Sequence, residues 1–354
     1  MTGGRMAKEK SGISTKMKDV AELAGVSIKT VSRVLNNEPH VQEKLRRKVR
    51  DAAERLDYVP SQSARSLRGS RSYDINLICH NVSSVYVSSI QFGAVIACQE
   101  LGYQLSISLL ENLDQMSMAE IRHALEAVMQ RRRPDGIVLL APYANNEKIA
   151  FVLQEMDIAV VRVGPVDLQK QGLLVEIDDY QASIEVVRHL ADLGHKRIGF
   201  IRGSENQRSS HVRFSGYSVA MEAAGLSVDP NLVRPGSFDF ESGYEAGQYF
   251  LGLDLPPTAV FSSNDDMAAG LVAAYTERGA KVPRDLSIVG FDDASIATCM
   301  RPFLTTVRQP LSDLGGTAVR ELVATLSSKT SGKRRRIVLD HELIVRGTTS
   351  APPK

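Results

Sequence analysis

The segment from Asp19 to Asn37, DVAELAGVSIKTVSRVLNN, contains two short helical patterns joined by a single glycine. Gly25 is suited to end the first helix in a left-handed conformation, and Ser27 is a good N-cap for the second helix. The apolar residues of the first helix are Val20, Ala21, Leu23 and Ala24. The segment therefore predicts a helix, a tight turn and a second helix.

The second predicted helix has two different faces. One face is apolar by the i, i+3, i+4 rule and consists of Val31, Val34 and Leu35. The other face consists of Ile28, Lys29, Ser32 and Arg33. In a helix-turn-helix, the start of the second helix enters the DNA major groove, where Lys or Arg reads guanine and an apolar side chain contacts a thymine methyl. Ile28, Lys29 and Arg33 have the chemistry for these contacts.

A third amphipathic helix follows. Its apolar residues recur at i, i+4, i+7 and i+11, and they are Leu45, Val49, Ala52 and Leu56. Basic residues surround them, and the three helices would close a small core. A helical hairpin in which Ser27, Thr30 and Ser32 only cap or are solvated would show the same periodicity, so periodicity alone leaves both interpretations open.

The order of residues is more specific than their periodicity. MKDVAELAGVSIKTVSRVLNN resembles, almost position for position, the DNA-binding head of the lactose-repressor (LacI) family of bacterial transcription regulators, whose pattern is D-V-A-x-x-A-G-V-S-x-x-T-V-S-R-V-L-N. The resemblance implies that the chain binds double-stranded operator DNA. The residues that we predict to contact DNA from this head are Ser27, Ile28, Lys29, Thr30, Ser32, Arg33 and His40.

The next segment, YVPSQSARSLRGSRS from Tyr58 to Ser72, has two interpretations. Pro60 suits the first position of a helix and Ala64 shares a side with Leu67, but so short a helix is unstable alone. It is either a flexible linker or, as the family resemblance implies, a hinge helix that orders on DNA. In that family two hinges pair across a dimer and the leucine matching Leu67 enters the minor groove. We predict that Ala64 and Leu67 contact DNA.

Charge divides the chain into two parts. Residues 1–72 contain 16 Lys and Arg against 8 Asp and Glu, whereas residues 73–354 contain 27 against 33. A basic segment followed by an acidic body suggests a nucleic-acid-binding unit attached to a second unit with another partner. The three cysteines are far apart and have no metal-ligand spacing, and we find neither a signal-peptide core nor a run of 18 apolar residues. We expect a cytoplasmic, nucleoid-associated protein of bacteria.

Beyond residue 73, short apolar runs alternate with helical stretches. Examples of the runs are DINLIC, DGIVLLAP, RIGFIRG, PTAVFSSN and LSIVGFDD, and the last such run is RIVLDHELIVRG. This alternation predicts a doubly wound α/β architecture with parallel sheets. About 280 residues exceed one such sheet, so we expect two similar subdomains with a cleft between them. Ligands bind such sheets at the carboxyl ends of the strands.

The sequence gives no sign of an enzyme. It has no G-x-G-x-x-G after a strand, no complete P-loop, no G-x-S-x-G and no H-E-x-x-H. The paired carboxylates Asp265/Asp266 and Asp292/Asp293 follow strands, where the simplest role is to cap the next helix. We therefore expect no catalytic residue, no metal site and no cofactor.

The second part also resembles the LacI family, in its effector-binding core, which is similar to periplasmic sugar-binding proteins. The matching segments include LADLGHKRIGFIRG, PTAVFSSNDDMAAGL and LSIVGFDD. The resemblance implies that Arg213, Asn264 and Asp292 hydrogen-bond ligand hydroxyls and that Phe238 stacks on a sugar face. Tyr86 is a candidate second aromatic wall. Where the family has an N-P-x-x run ending in aromatics, this chain reads NVSSVYV, with Val87 in place of the second aromatic.

The sequence thus predicts an effector-responsive regulator. We expect a disordered tail over residues 1–16, a helix-turn-helix domain over 17–60, a hinge or linker over 61–72, and an effector-binding and dimerisation core over 73–354. The predicted function is a repressor that binds a palindromic operator as a homodimer and is released by a sugar or sugar derivative. Two alternatives remain: a corepressor-dependent regulator that responds to a purine or a phosphoprotein, and a sugar-binding protein without gene control.

Overall fold

The computed structural model describes residues 15–35, 41–58, 71–80, 85–164, 172–327 and 335–353. Contacts along the chain divide it into two compact units, Met1–Ser72 and Tyr73–Lys354. None of the helices in the described ranges is long and apolar enough to cross a membrane.

The N-terminal unit is a three-helix cluster. Its helices are α1 (Met17–Ala24), α2 (Ile28–Leu35) and α3 (Glu43–Arg55). Gly25 ends α1 with φ = 65°, a left-handed conformation in which its N–H donates to Ala21 and Glu22, as predicted. The shared core is small and apolar, and its buried members are Val20, Ala21, Ala24, Val31, Val34, Val49, Ala52 and Ala53. The predicted third helix is confirmed, since Val49 and Ala52 face this core.

The second unit alternates strands and helices. Its strands are β1 (Asp74–Cys79), β2 (Gln104–Leu109), β3 (Gly136–Leu140), β4 (Ala159–Val163), β5 (Leu173–Ile177), β6 (Ile198–Ile201), β7 (Val233–Arg234), β8 (Ala259–Ser262), β9 (Ser287–Asp292), β10 (Thr305–Arg308), β11 (Arg335–Leu339) and β12 (Glu342–Ile344). Its helices are α4 (Val85–Leu101), α5 (Met118–Arg132), α6 (Glu147–Glu155), α7 (Asp179–Asp192), α8 (Arg208–Ala223), α9 (Phe240–Leu251), α10 (Asp265–Glu277), α11 (Ser295–Cys299) and α12 (Leu311–Ser327).

The strands form two six-stranded sheets. The first sheet has the order β11-β5-β4-β3-β1-β2 and all its neighbours are parallel. The second has the order β12-β10-β9-β8-β6-β7 and is parallel except for β12, which runs antiparallel to β10. The fold class predicted from the sequence, a doubly wound α/β core with two subdomains, is confirmed. We call the parts built on these sheets the first and the second subdomain.

The chain passes between the subdomains three times, after β5, after β10 and after β11. The last apolar run, which reads as one strand in the sequence, is therefore two strands in different sheets. Helix α12 follows β10 of the second sheet but packs on α4 of the first subdomain. The contact is tight, because a Cβ on Gly93 would lie 1.8 Å from the backbone oxygen of Ser312. Only glycine fits at this contact.

Candidate functional site

The first candidate site is the outward surface at the start of α2. Ser27 caps α2 as predicted, because its Oγ accepts a hydrogen bond from the Thr30 N–H at 3.1 Å. The side chains of Ser27, Ile28 and Lys29 are exposed, and those of Thr30 and Arg33 are half-buried. Exposure of an isoleucine next to a lysine at a helix start leaves both available to base edges in a major groove.

The sequence assigned Ser32 to this outward surface, and that assignment is wrong. The Ser32 side chain is only 8% exposed, and it lies beside the buried Val31. The i, i+3, i+4 rule defines the centre of the apolar face but not its width, and the neighbouring helices cover one residue more than the rule predicts. Three other predicted DNA contacts, His40, Ala64 and Leu67, lie outside the described residues.

The second candidate site is a cleft in the second unit. A cavity of about 90 Å³ is lined by all five residues that the sequence proposed for effector binding: Tyr86, Arg213, Phe238, Asn264 and Asp292. They come from α4, α8, the loop before α9, the loop before α10 and the end of β9. The carboxyl ends of parallel strands meet at this edge, which is where an open α/β sheet binds ligands.

Arg213 is held rigidly in the cleft wall. It is 4% exposed, and its Nε donates to Asp179 Oδ1 at 2.6 Å while Nη1 donates to the Ser263 carbonyl. Its guanidinium also lies 3.6 Å from the centroid of the Phe291 ring. Asp179 is 2% exposed and begins α7, directly after the first passage between the subdomains. The sequence analysis did not identify Asp179.

Asp292 points into the cleft from the last position of β9. Its Oδ1 accepts a hydrogen bond of 2.6 Å from Gln309 Nε2, and Gln309 lies on the second passage between the subdomains. Burial raises the pKa of Asp292 to about 7, and the nearby carboxylates Asp179 and Asp266 raise it too, against the opposing effects of Arg213 and Gln309. A carboxyl group with this pKa changes its charge near neutral pH.

Two of the cleft residues adopt a left-handed backbone. Asp292 has φ = 112° and Phe238 has φ = 63°, although neither is a glycine. Such conformations cost on the order of 1–3 kcal/mol and concentrate at functional sites. The Phe238 ring lies against Gly203, where a Cβ would be 1.9 Å from the ring. The missing side chain at residue 203 therefore makes room for the aromatic ring.

The sequence analysis gave helix capping as the simplest role of the paired carboxylates, and that prediction is wrong. Asn264 caps α10 instead, because its Oδ1 accepts from the Met267 N–H at 3.0 Å while its Nδ2 donates to the Phe238 carbonyl. Asp265 is fully buried and accepts hydrogen bonds from Thr306 and from the Ala294 N–H. The residue that caps α10 stands one position before the first aspartate, so the side chain of Asp265 points into the protein interior.

Of Asp293 and Tyr86, only Tyr86 lines the cleft. Asp293 forms ion pairs with Arg308 at 2.7 Å and Arg346 at 2.6 Å, so only Asp292 of this pair belongs to the cleft lining. Tyr86 is half-buried, and a Cβ on Gly164 would lie 3.5 Å from its hydroxyl. Val87, which stands where the family has an aromatic, is 2% exposed and packs in the core.

Family models match both units. Residues 16–61 match the model of bacterial regulatory proteins of the lacI family, and residues 187–349 match a periplasmic binding protein-like domain. The chain is also 32% identical to the ribose operon repressor of Escherichia coli K12 over 94% of this chain and 99% of that repressor. The chain belongs to the LacI family.

Further LacI-family proteins are similar over nearly the whole chain. Catabolite control protein A of Priestia megaterium is 33% identical over 88% of this chain and 92% of that protein. A crystal structure of the lac repressor dimer bound to operator and the anti-inducer ONPF superposes with a TM-score of 0.79 at 28% identity, covering 96% of this chain and 100% of that chain. Membership of the LacI family confirms that the protein is a DNA-binding transcriptional regulator that responds to an effector, and not an enzyme.

Proposed function

We propose that the protein is a repressor whose homodimer binds a palindromic operator and releases it when a sugar occupies the cleft. The observation that carries the proposal is the convergence of Tyr86, Arg213, Phe238, Asn264 and Asp292 on one cavity in a chain whose N-terminal unit is a helix-turn-helix. A sugar offers hydroxyl groups around its rim and an apolar face. Carboxylate, guanidinium and amide groups beside one aromatic ring match that chemistry.

The DNA-binding part of the proposal rests on α2. Ile28 and Lys29 are exposed at its start, Arg33 is half-buried one turn later, and these three are the proposed base contacts. Ser27 and Thr30 are proposed to contact the backbone of the DNA. His40 is a further proposed contact. The proposed hinge residues Ala64 and Leu67 enter the minor groove at the operator centre, where an apolar wedge kinks the duplex. We propose the cytoplasm, in association with the nucleoid, as the location of this activity.

The dimer surface is proposed to include the outer side of the first subdomain. Helix α4 exposes Phe92, which is 64% accessible, together with Val95 and Ile96. The adjacent strand β2 is an edge strand and exposes Ile107 and Leu109. A contiguous apolar patch beside an open sheet edge favours association with a second copy.

The cleft also supports a route by which an effector alters DNA binding. Arg213 is tied to Asp179 and Asp292 to Gln309, and both partners lie where the chain passes between the subdomains. A ligand that contacts Arg213 and Asp292 therefore acts on the segments about which the subdomains close. Such a ligand shifts the equilibrium between the open and closed arrangements of the subdomains only to the extent that it binds one arrangement more tightly than the other.

The experiment begins with selection of an operator from a random DNA pool by the full-length protein. Fluorescence anisotropy then measures operator affinity with and without members of a sugar panel. We expect a palindromic site and weaker binding in one sugar. A sugar that strengthens operator binding would favour the corepressor alternative, and operator binding that no sugar changes would contradict the proposed function.

A further inference from the structure

The charges that line the cleft are mostly negative. Among the lining residues that the structure describes there are four carboxylates, Asp179, Asp265, Asp266 and Asp292, against one guanidinium and one imidazole. Asp265 is internal, since it accepts hydrogen bonds from Thr306 and Ala294, and burial raises its pKa well above the usual range. With Asp265 neutral and Asp179 paired with Arg213, Asp266 and the ionised form of Asp292 remain as uncompensated negative groups.

The basic residues of the lining offer an anion little uncompensated positive charge. Arg213 already donates to Asp179 at 2.6 Å and to the Ser263 carbonyl, and the Phe291 ring covers one face of its guanidinium. A phosphate at Arg213 would share a guanidinium whose charge is already compensated by Asp179, a carboxylate with a side chain only 1% exposed. Burial lowers the pKa of His80, which favours its neutral ring.

The remaining carboxylates are hydrogen-bond acceptors. Asp292 accepts one bond from Gln309, and Asp266 is half-buried at the start of α10. A sugar hydroxyl is a donor and satisfies such a group, whereas a fully ionised phosphate or carboxylate has only acceptors. The negative charge of Asp266, and that of Asp292 once the pH rises above its pKa of about 7, acts through a partly desolvated cleft, where repulsion of an anion is stronger than in water.

We propose that the cleft takes an uncharged, unphosphorylated sugar and rejects phosphorylated or acidic sugars, with Asp266 and Asp292 as the residues that set this selectivity. The inference rests on the proposed function, since it concerns the same effector. It excludes from this cleft the phosphorylated metabolites that would otherwise be natural candidates for a metabolic regulator.

One experiment needs no knowledge of the effector. Thermal unfolding of the full-length protein is measured in phosphate and in chloride at equal ionic strength and pH. The proteins compared are the unsubstituted chain, the double variant Asp266→Asn/Asp292→Asn, and the control Asp254→Asn, whose side chain is exposed in the loop after α9. We expect phosphate to stabilise the unsubstituted chain and Asp254→Asn by the same amount, which is the general effect of this anion on folded proteins, and to stabilise the double variant more. Equal phosphate stabilisation of all three proteins would overturn the inference.

The second experiment uses matched pairs of compounds. Calorimetric titrations compare D-glucose with glucose 6-phosphate and gluconate, and D-ribose with ribose 5-phosphate. We expect each anionic compound to bind on the order of 100-fold more weakly than its parent, or not at all. A phosphorylated compound that binds as tightly as its parent, with binding lost in Phe238→Ala, would overturn the inference.

The two proposals fail in different ways. A phosphorylated sugar that binds the cleft and releases the operator would leave the proposed function intact and contradict only the charge selectivity. Operator binding that responds to no sugar would contradict the proposed function, and the phosphate experiment would still decide whether the cleft rejects anions.

Discussion

Arg213 Nε donates to Asp179 Oδ1 at 2.6 Å, and the two side chains are 5% and 1% exposed. The pair joins α8 of the second subdomain to the start of α7, where the chain has just left the first sheet. A buried ion pair contributes little net free energy compared with apolar packing, but the loss of one partner leaves an uncompensated charge. The pair therefore fixes the position of Arg213 in the cleft.

Asp179→Ala is expected to lower the free energy of unfolding of the second unit by about 3–5 kcal/mol, because it leaves the Arg213 guanidinium buried without its carboxylate. Urea unfolding followed by circular dichroism measures the change. The control is Glu100→Ala, which breaks the exposed Arg320–Glu100 pair of 3.1 Å and should cost less than about 1 kcal/mol. Similar losses for the two variants would contradict the structural role of the buried pair.

Asp292 makes stability depend on pH. Its pKa in the folded protein, about 7, is above the ordinary value of 3.8, so ionisation of Asp292 favours the unfolded chain. Its contribution is fully present below pH 4 and is lost as the pH rises through 7. Since each unit of pKa corresponds to about 1.4 kcal/mol, the difference between the two pKa values sets an upper limit of about 4 kcal/mol on this contribution.

The test of this pH dependence is the substitution Asp292→Asn. Between pH 4 and 8 the variant is expected to gain stability relative to the unsubstituted protein, because an amide does not ionise. Asp254→Asn serves as the exposed control. Urea titrations at several pH values measure the difference, and parallel pH profiles for Asp292→Asn and the unsubstituted protein would show that Asp292 does not carry the effect.

Lys29→Ala tests the α2 surface. Loss of a base contact is expected to cost on the order of 1–3 kcal/mol on the selected operator and to relax preference at one base pair in each half-site. Anisotropy titrations on operator and on unrelated DNA measure both effects. A uniform loss on all sequences would assign Lys29 to a phosphate instead.

Gly93→Ala tests the packing of α4 on α12. The new methyl group would lie 1.8 Å from the Ser312 backbone oxygen, so the helices must separate, at a cost of about 1–3 kcal/mol or more. Gly252→Ala is the control, because its φ is −86° and its nearest contact would be an ordinary 3.5 Å. Thermal unfolding distinguishes the two, and equal midpoints would contradict the close approach.

The sequence correctly predicted those structural features that depend on residues close to one another in the chain. The turn at Gly25 and the cap at Ser27 are set by residues within one helical turn, and both are present as predicted. The strand runs were recognisable because parallel strands covered on both faces are continuously apolar. Ser32 was misassigned because the width of a buried face depends on neighbouring helices, which a single helix does not specify.

The cleft was predicted only in part, for a related reason. Arg213 and Asp292 were identified through the family resemblance, but their partners Asp179 and Gln309 were not. Asp179 is 34 residues from Arg213 and follows β5, a strand that the sequence analysis did not single out. Polar contacts between residues that are far apart in the chain produce no periodic pattern in the sequence. These partners therefore become apparent only in the folded structure.

The central claim is that occupation of the cleft controls operator binding, and the most direct measurement is an anisotropy titration of the selected operator with the full-length protein, with and without the active sugar. Asp292→Ala, with the head unchanged, should bind operator as the unsubstituted protein does when no sugar is present. It should need at least about tenfold more sugar for release, because the sugar hydroxyls lose a buried acceptor. Loss of operator binding by a folded Asp292→Ala protein without sugar, or release at the same sugar concentration as the unsubstituted protein, would contradict the account.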